Sequence, residues 1–157
     1  MSAITFFKAS IDNVNVIVEN RILFALELSG PKPTSSIEEL RKNLQAYFLK
    51  ATANNTCISF IAKEGNQVAG IGSMHVREMP GNFKNPTGKW GYIMNMYTLQ
   101  NYRRQGVCKG ILKCLVEEGE KLGITAFELH ATVAGEMVYK NNGFSQHIEP
   151  TYRMYTI

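Results

Sequence analysis

The chain has 157 residues, 17 Lys and Arg against 13 Asp and Glu, and a net charge of +4. That length suits one domain with its own core, read as residues 1–157. With 45% hydrophobic and 19% charged residues it has the balance of a soluble globular protein. No apolar run approaches the roughly 18 residues a membrane span needs, and no secretory leader is legible in MSAITFFKAS. The Met-Ser start and the Met-Tyr-Thr-Ile end carry no lipidation or retention signal. The three cysteines, Cys57, Cys108 and Cys114, have no metal-ligand spacing and form no even-numbered framework, so reduced thiols, a cytoplasmic setting and no metal are expected.

Residues 4–8 read as a first strand. A helix capped by Ser10 or Asp12 follows to about residue 28, its apolar set being Val14, Ile17, Val18, Ile22, Phe24, Ala25 and Leu28. Ser-Gly-Pro-Lys-Pro at 29–33 stops it. A second helix begins near Ser35, with Ser35 or Ser36 as cap and a stripe of Ile37, Leu40, Leu44, Tyr47, Phe48 and Ala51. Asn54-Asn55 closes it. Residues 57–62 and 68–76 form a hairpin about Glu64-Gly65-Asn66, and 79–89 is a loop. A fourth strand spans 92–99, where alternation puts Asn95 and Tyr97 on one face and Met94, Met96 and Thr98 on the other. The next helix keeps Val107, Ile111 and Leu115 in step and ends at Gly123. A fifth strand over 126–131, a short helix over 136–142, and strand material at 144–147 and 152–157 complete a mixed α/β chain.

The stretch YIMNMYTLQNYRRQGVCKGIL, residues 92–112, carries the chemistry. A strand feeds a helix through a polar turn, and the first amides of a helix are unpaired donors at the positive end of its dipole. Arg103, Arg104 and Lys109 crowd that end, where cations oppose the dipole unless an anion is expected. Gly106 presents no Cβ to an approaching phosphate. The Walker pattern is absent, and so is G-x-G-x-x-G, since Gly106 and Gly110 are separated by three residues. Lys84, Lys89 and Lys113 add to the local charge, but no long basic stripe or nucleic-acid module accompanies it. A small polyanionic ligand accounts for the excess, and nucleic acid and membrane are not expected partners.

Arg103, Gly106 and Cys108 fill the three defined positions of Q/R-x-x-G-x-G/A, with Cys where Gly or Ala is usual. The stretch resembles the acyl-CoA-binding motif of the GNAT superfamily of N-acetyltransferases. Tyr139-Lys140-Asn141-Asn142-Gly143-Phe144 looks like that family's Y-x-x-x-G-F signature, and the element order is similar over nearly the whole chain. The resemblance implies a single-domain GNAT-like fold: a mixed, mostly antiparallel sheet flanked by helices, with a βαβ acyl-CoA-binding unit. It implies acetyl-CoA as co-substrate. Backbone at Met96, Tyr97 and Thr98 would receive the pantetheine arm, and amides of Arg104, Gln105, Gly106, Val107, Cys108 and Lys109 the pyrophosphate. Tyr139 would face the CoA sulfur.

A phenol, with a pKa of about 10, can protonate a departing thiolate; the plainer reading of Tyr139 is a core aromatic beside Met137, Val138 and Phe144. Asn95 stands where many relatives have a carboxylate, and it cannot take a proton. Glu27, His75, Glu78 and His130 are candidate bases, none assigned. The expected activity is acetyl transfer to a primary amine by direct attack in a ternary complex, with a catalytically silent acyl-CoA-binding module as the alternative. A nucleic-acid-binding protein rests on the pI of 9.0 alone. The acceptor amine is open, and a homodimer is among the expectations.

Overall fold

The computed structural model describes residues 3–156, so the readings at Met1, Ser2 and Ile157 lie outside the described residues. Five strands form one sheet in chain order: β1 (Ile4–Lys8), β2 (Cys57–Glu64), β3 (Gln67–Glu78), β4 (Lys89–Thr98) and β5 (Phe127–Leu129). The first three pairings are antiparallel and β4–β5 is parallel. Parallel neighbours need a crossover, and α3 (Val107–Lys121) supplies it. This is the expected mixed sheet with a βαβ unit.

Apolar residues on both faces of the central strands create two cores. On one face Val107, Ile111 and Leu115 of α3, none more than 2% exposed, pack on Ile58, Phe60, Met74 and Ile93. On the other, α1 (Val14–Ser29) and α2 (Thr34–Ala53) cover Cys57, Ile61 and Ile71 with Val14, Ile17, Val18, Ile22, Phe48 and Ala51. On that same face Ser59 and Ser73, both buried, hydrogen-bond at 2.7 Å, so the polar pair costs little. Ser10 opens the α1 region with a reciprocal cap: its hydroxyl accepts from the Asp12 N–H and its own N–H donates to Asn13 Oδ1.

Several expectations change. The second helix starts at Thr34, with Pro33 in the cap position and no side-chain cap, so Ser35 and Ser36 lie inside the first turn. Proline can end the extended approach because the helix needs only its carbonyl, which accepts from Ile37 N–H at 3.1 Å. Leu28 and Leu40 are exposed; Leu40 lines a shallow groove of about 170 Å³ between α1 and α2. The fifth strand keeps only three residues, and the short helix, α4, runs Glu136–Lys140. Residues 144–156 form no strand among the described residues. Strand propensity there lacks a partner ladder, and Pro150 removes a donor.

The alternation expected for the fourth strand also fails. Ser73 pairs with Met94 and Ile71 with Tyr97, so Asn95 and Met96 together oppose Gly72. That is a β-bulge, with Asn95 in the left-handed region at φ 57°. The extra residue turns Met94 and Tyr97 toward the α1–α2 core and Met96 toward the α3 core.

Candidate active site

The β4–β5 ladder ends early. Its pairs are Gly91–Phe127, Tyr92–Glu128 and Ile93–Leu129, whereas β4 continues to Thr98. From Met94 onward β4 therefore has no β5 partner, and its backbone groups on that side stand open. Met96, Tyr97 and Thr98 lie on this open length. The bulge is at its start, where Asn95 is 5% exposed and neither its amide oxygen nor its nitrogen has a hydrogen-bond partner among the described residues. Buried polar atoms without partners mark a place where water or a ligand supplies them.

Beyond Thr98 a 3-10 turn (Gln100–Tyr102) leads to the start of α3. Among the described residues, the N–H groups of Arg104 to Lys109 donate to no backbone carbonyl; the first helical bond runs from Gly110 N–H to the Gly106 carbonyl at 2.9 Å. No side chain caps this end. Arg104 and Gly106 both have positive φ, 62° and 79°. A Cβ at Gly106 would meet no protein atom within 4 Å, so backbone conformation and open outer space, rather than internal crowding, call for glycine here. Successive unpaired amides at a helix start, with positive φ before it, are the ingredients of an anion nest.

The basic side chains divide. Arg103 is braced: its Nε donates to the Thr98 carbonyl at 3.0 Å, and its guanidinium meets Glu27 Oε1 at 2.6 Å. That contact holds the Glu27 carboxyl below its ordinary value. Arg103 thus ties α1 to the end of β4. Arg104 and Lys109 are exposed beside the nest, and Gln105 donates to the Asn101 carbonyl at 3.0 Å.

Cys108 belongs to the nest through its amide, while its side chain packs with the α3 core. Burial pushes its thiol up. Tyr139 arrives from α4 at 8% exposure, edge-on to Phe144 with ring centroids 6.1 Å apart. Burial first, and then the Cys108 thiol beside it, raise the phenol well above its ordinary value. The phenol is therefore protonated at physiological pH. It is both a core aromatic and a neighbour of the nest.

Of the four candidate bases, Glu27 is committed to Arg103 and Glu78 is exposed at the end of β3. His75 lies 3.5 Å from the Tyr47 hydroxyl. His130 follows the last paired residue of β5, so it stands where the strands part, and its Nδ1 shares a 2.8 Å hydrogen bond with the Tyr92 hydroxyl. Arg77 covers the Tyr92 ring at 3.9 Å and lies 3.8 Å from Glu128. These side chains border a cavity of about 190 Å³ together with Trp90. Tyr92 and Arg77 carry no sequence signal: each is an ordinary strand residue until β5 is laid beside β4.

Among the described residues no His, Cys, Asp and Glu group is arranged to hold a metal, and no helix is long and apolar enough to cross a membrane.

The fold has close counterparts. A predicted acetyltransferase from Clostridium acetobutylicum, solved with acetyl-CoA, is 32% identical, with a TM-score of 0.85 over 97% of this chain and 96% of that one. A GCN5-related N-acetyltransferase from Ralstonia eutropha is 21% identical, with a TM-score of 0.84 over 97% and 99%. A ribosomal-protein-alanine N-acetyltransferase from Brucella melitensis is 14% identical, with a TM-score of 0.70 over 98% and 99%. The last two share the fold alone. No curated protein matches the sequence. The family model described as "Acetyltransferase (GNAT) family" matches residues 22–144, which include the open end of β4, the nest and Tyr139, and the chain belongs to that family.

Proposed function

We propose that this chain, acting as one domain, transfers an acetyl group from acetyl-CoA to a primary amine by direct attack in a ternary complex. The observation that carries the reading is the open length of β4 running directly into the unpaired amides of α3. An extended amide-bearing arm fits an unpaired strand edge, and a pyrophosphate fits a nest at a helix start. Acetyl-CoA supplies the acetyl group as a thioester, so that group need only be held and its charge managed.

In this reading the amides of Arg104 to Lys109 take the pyrophosphate, with Arg104 and Lys109 adding charge. Backbone at Met96, Tyr97 and Thr98 aligns the arm, and an N–H there faces the oxygen on which negative charge develops. His130, steadied by Tyr92, takes the proton of the attacking amine at its imidazole. As the new C–N bond forms and the C–S bond breaks, Tyr139 gives its hydroxyl proton to the departing sulfur. Tyr139 holds its proton at neutral pH, as the role requires. Three free thiols fit a reducing, cytoplasmic setting.

Release of free thiol from acetyl-CoA across an amine panel tests the proposal. Tyr139→Phe is expected to lower kcat by about 10²-fold, the usual scale for a general acid, with little change in acetyl-CoA affinity. Because Tyr139 is neutral far above neutral pH, the variant should not move the alkaline limb of the rate profile. Acetyl-CoA binding without thiol release from any acceptor would replace the enzyme with a silent binding module.

A further inference from the structure

Three positions on one face of α1, each three residues apart, follow β4 backwards. Glu27 meets Arg103 beyond the strand's end, Phe24 packs on Tyr97 with ring centroids 5.4 Å apart, and the Arg21 guanidinium lies over the Phe24 ring one turn earlier. Residues at this spacing share a helix face. Arg21 therefore stands over the part of β4 between Tyr97 and Tyr92. That part contains the bulge at Asn95 and the point where β5 departs after Ile93.

Arg21 is half-buried, and among the described residues it has no carboxylate within 4 Å and no hydrogen bond. Other arginines of the chain are paired: Arg41 with Glu19 and Glu38, Arg103 with Glu27, Arg77 with Glu128. The Arg21 guanidinium lies over the Phe24 ring, 5.5 Å from its centroid. A partly desolvated guanidinium without a counter-charge is costly, and burial lowers its proton affinity here. The second observation is independent. Asn95, at the same bulge, is 95% buried by its 5% exposure and holds an unpartnered donor and an unpartnered acceptor. A snorkelling surface arginine would explain the first feature and leave the second unexplained.

We infer that Arg21 is the specificity determinant for the acceptor and that the acceptor is an amine bearing a carboxylate, of the amino-acid type. Guanidinium binds carboxylate by paired charge-assisted hydrogen bonds. Held there, the carboxylate leaves the adjacent amine directed at the strand opening, with His130 and the Tyr92 hydroxyl on its β5 side. This rests on the reading of that opening as the place of acetyl transfer.

The test separates binding from turnover. N-acetyl L-amino acids and their carboxamides are titrated into the CoA-loaded protein by calorimetry, and the matching L-amino acids and amino-acid amides are compared as acceptors. The expected result is at least about tenfold preference for the carboxylate in both assays, seen in KM more than in kcat. Arg21→Gln should erase that preference and Arg21→Lys should restore part of it. A thermal shift with CoA confirms that each variant is folded. Equal binding of acid and amide, no binding of either, or a preference that survives Arg21→Gln overturns the inference. Carboxylate-selective binding without acetyl transfer would remove the proposed reaction and keep the subsite. Transfer to amines regardless of carboxylate would do the reverse.

Discussion

Glu27 shows how one side chain near the site can be structural and still matter. Its hydrogen bond from Arg103 joins α1 to the end of β4, and the pair is nearly half exposed, with side chains 45% and 42% accessible. Such pairs contribute at most about 1 kcal/mol. The Glu27 carboxyl is lowered from 4.5, by the Arg103 hydrogen bond first. A carboxyl more acidic in the folded state stabilises above its unfolded pKa, and the gain is lost as pH falls through the lower folded value. Glu27→Gln should therefore lower Tm by no more than about 3 °C at pH 7. The gap from wild type should close as thermal melts are taken down below pH 4. Cys108 makes a related point. The family motif usually has Gly or Ala there, and the thiol is accommodated because its side chain packs with the α3 core beside Tyr139.

The bulged strand is the element on which the site depends. Two residues opposite Gly72 are accommodated because that position has no side chain: a Cβ there would lie 2.4 Å from Ile111 Cγ2 and 2.5 Å from Met96 Sδ. Gly72→Ala must push the α3 core or the bulge outward. Overpacking of this kind costs about 1–3 kcal/mol. The expected outcome is a lower Tm together with weaker acetyl-CoA binding by calorimetry, since the displaced backbone is the one that would align the arm. A similar substitution at the Gly65 turn, with φ 57° and open space around it, strains only the hairpin and should leave that affinity alone.

At the scale of the whole molecule, the proposed acetyl-CoA site would link ligand binding to stability, because a ligand held by the unpaired amides and the open strand edge binds only the folded chain. At a hundredfold excess over Kd, a ligand bound only by the native state adds about 2.7 kcal/mol. Acetyl-CoA should then raise Tm by roughly 5–10 °C in a scanning-calorimetry titration. Gly106→Ala, which forces a Cβ into a left-handed conformation at a cost of about 1–2 kcal/mol, should lower the starting Tm slightly and remove most of that rise. A rise that Gly106→Ala leaves intact would count against the nest as the anion site.

Residue order alone determined the elements with strong periodicity and punctuation: α1, α2, the β2–β3 hairpin, and the strand–turn–helix that turns at Gly106. Local interactions decide these, namely apolar spacing, caps and turn chemistry, and a one-dimensional reading can see them. The two motifs also made the family legible. Only the tertiary structure decided the rest. The bulge at Asn95 depends on the registers of β3 and β4, so simple alternation wrongly set Tyr97 on the face opposite Met94. The strand propensity in 144–156 came to nothing because a strand needs a partner edge. The Tyr92–His130 pair is 38 residues apart in the chain, and Arg103 and Glu27 are 76 apart. Arg21 is an unremarked helix residue until α1 is laid along β4. Long-range packing, absent from any local pattern, decided what surrounds the open end of β4 and the start of α3.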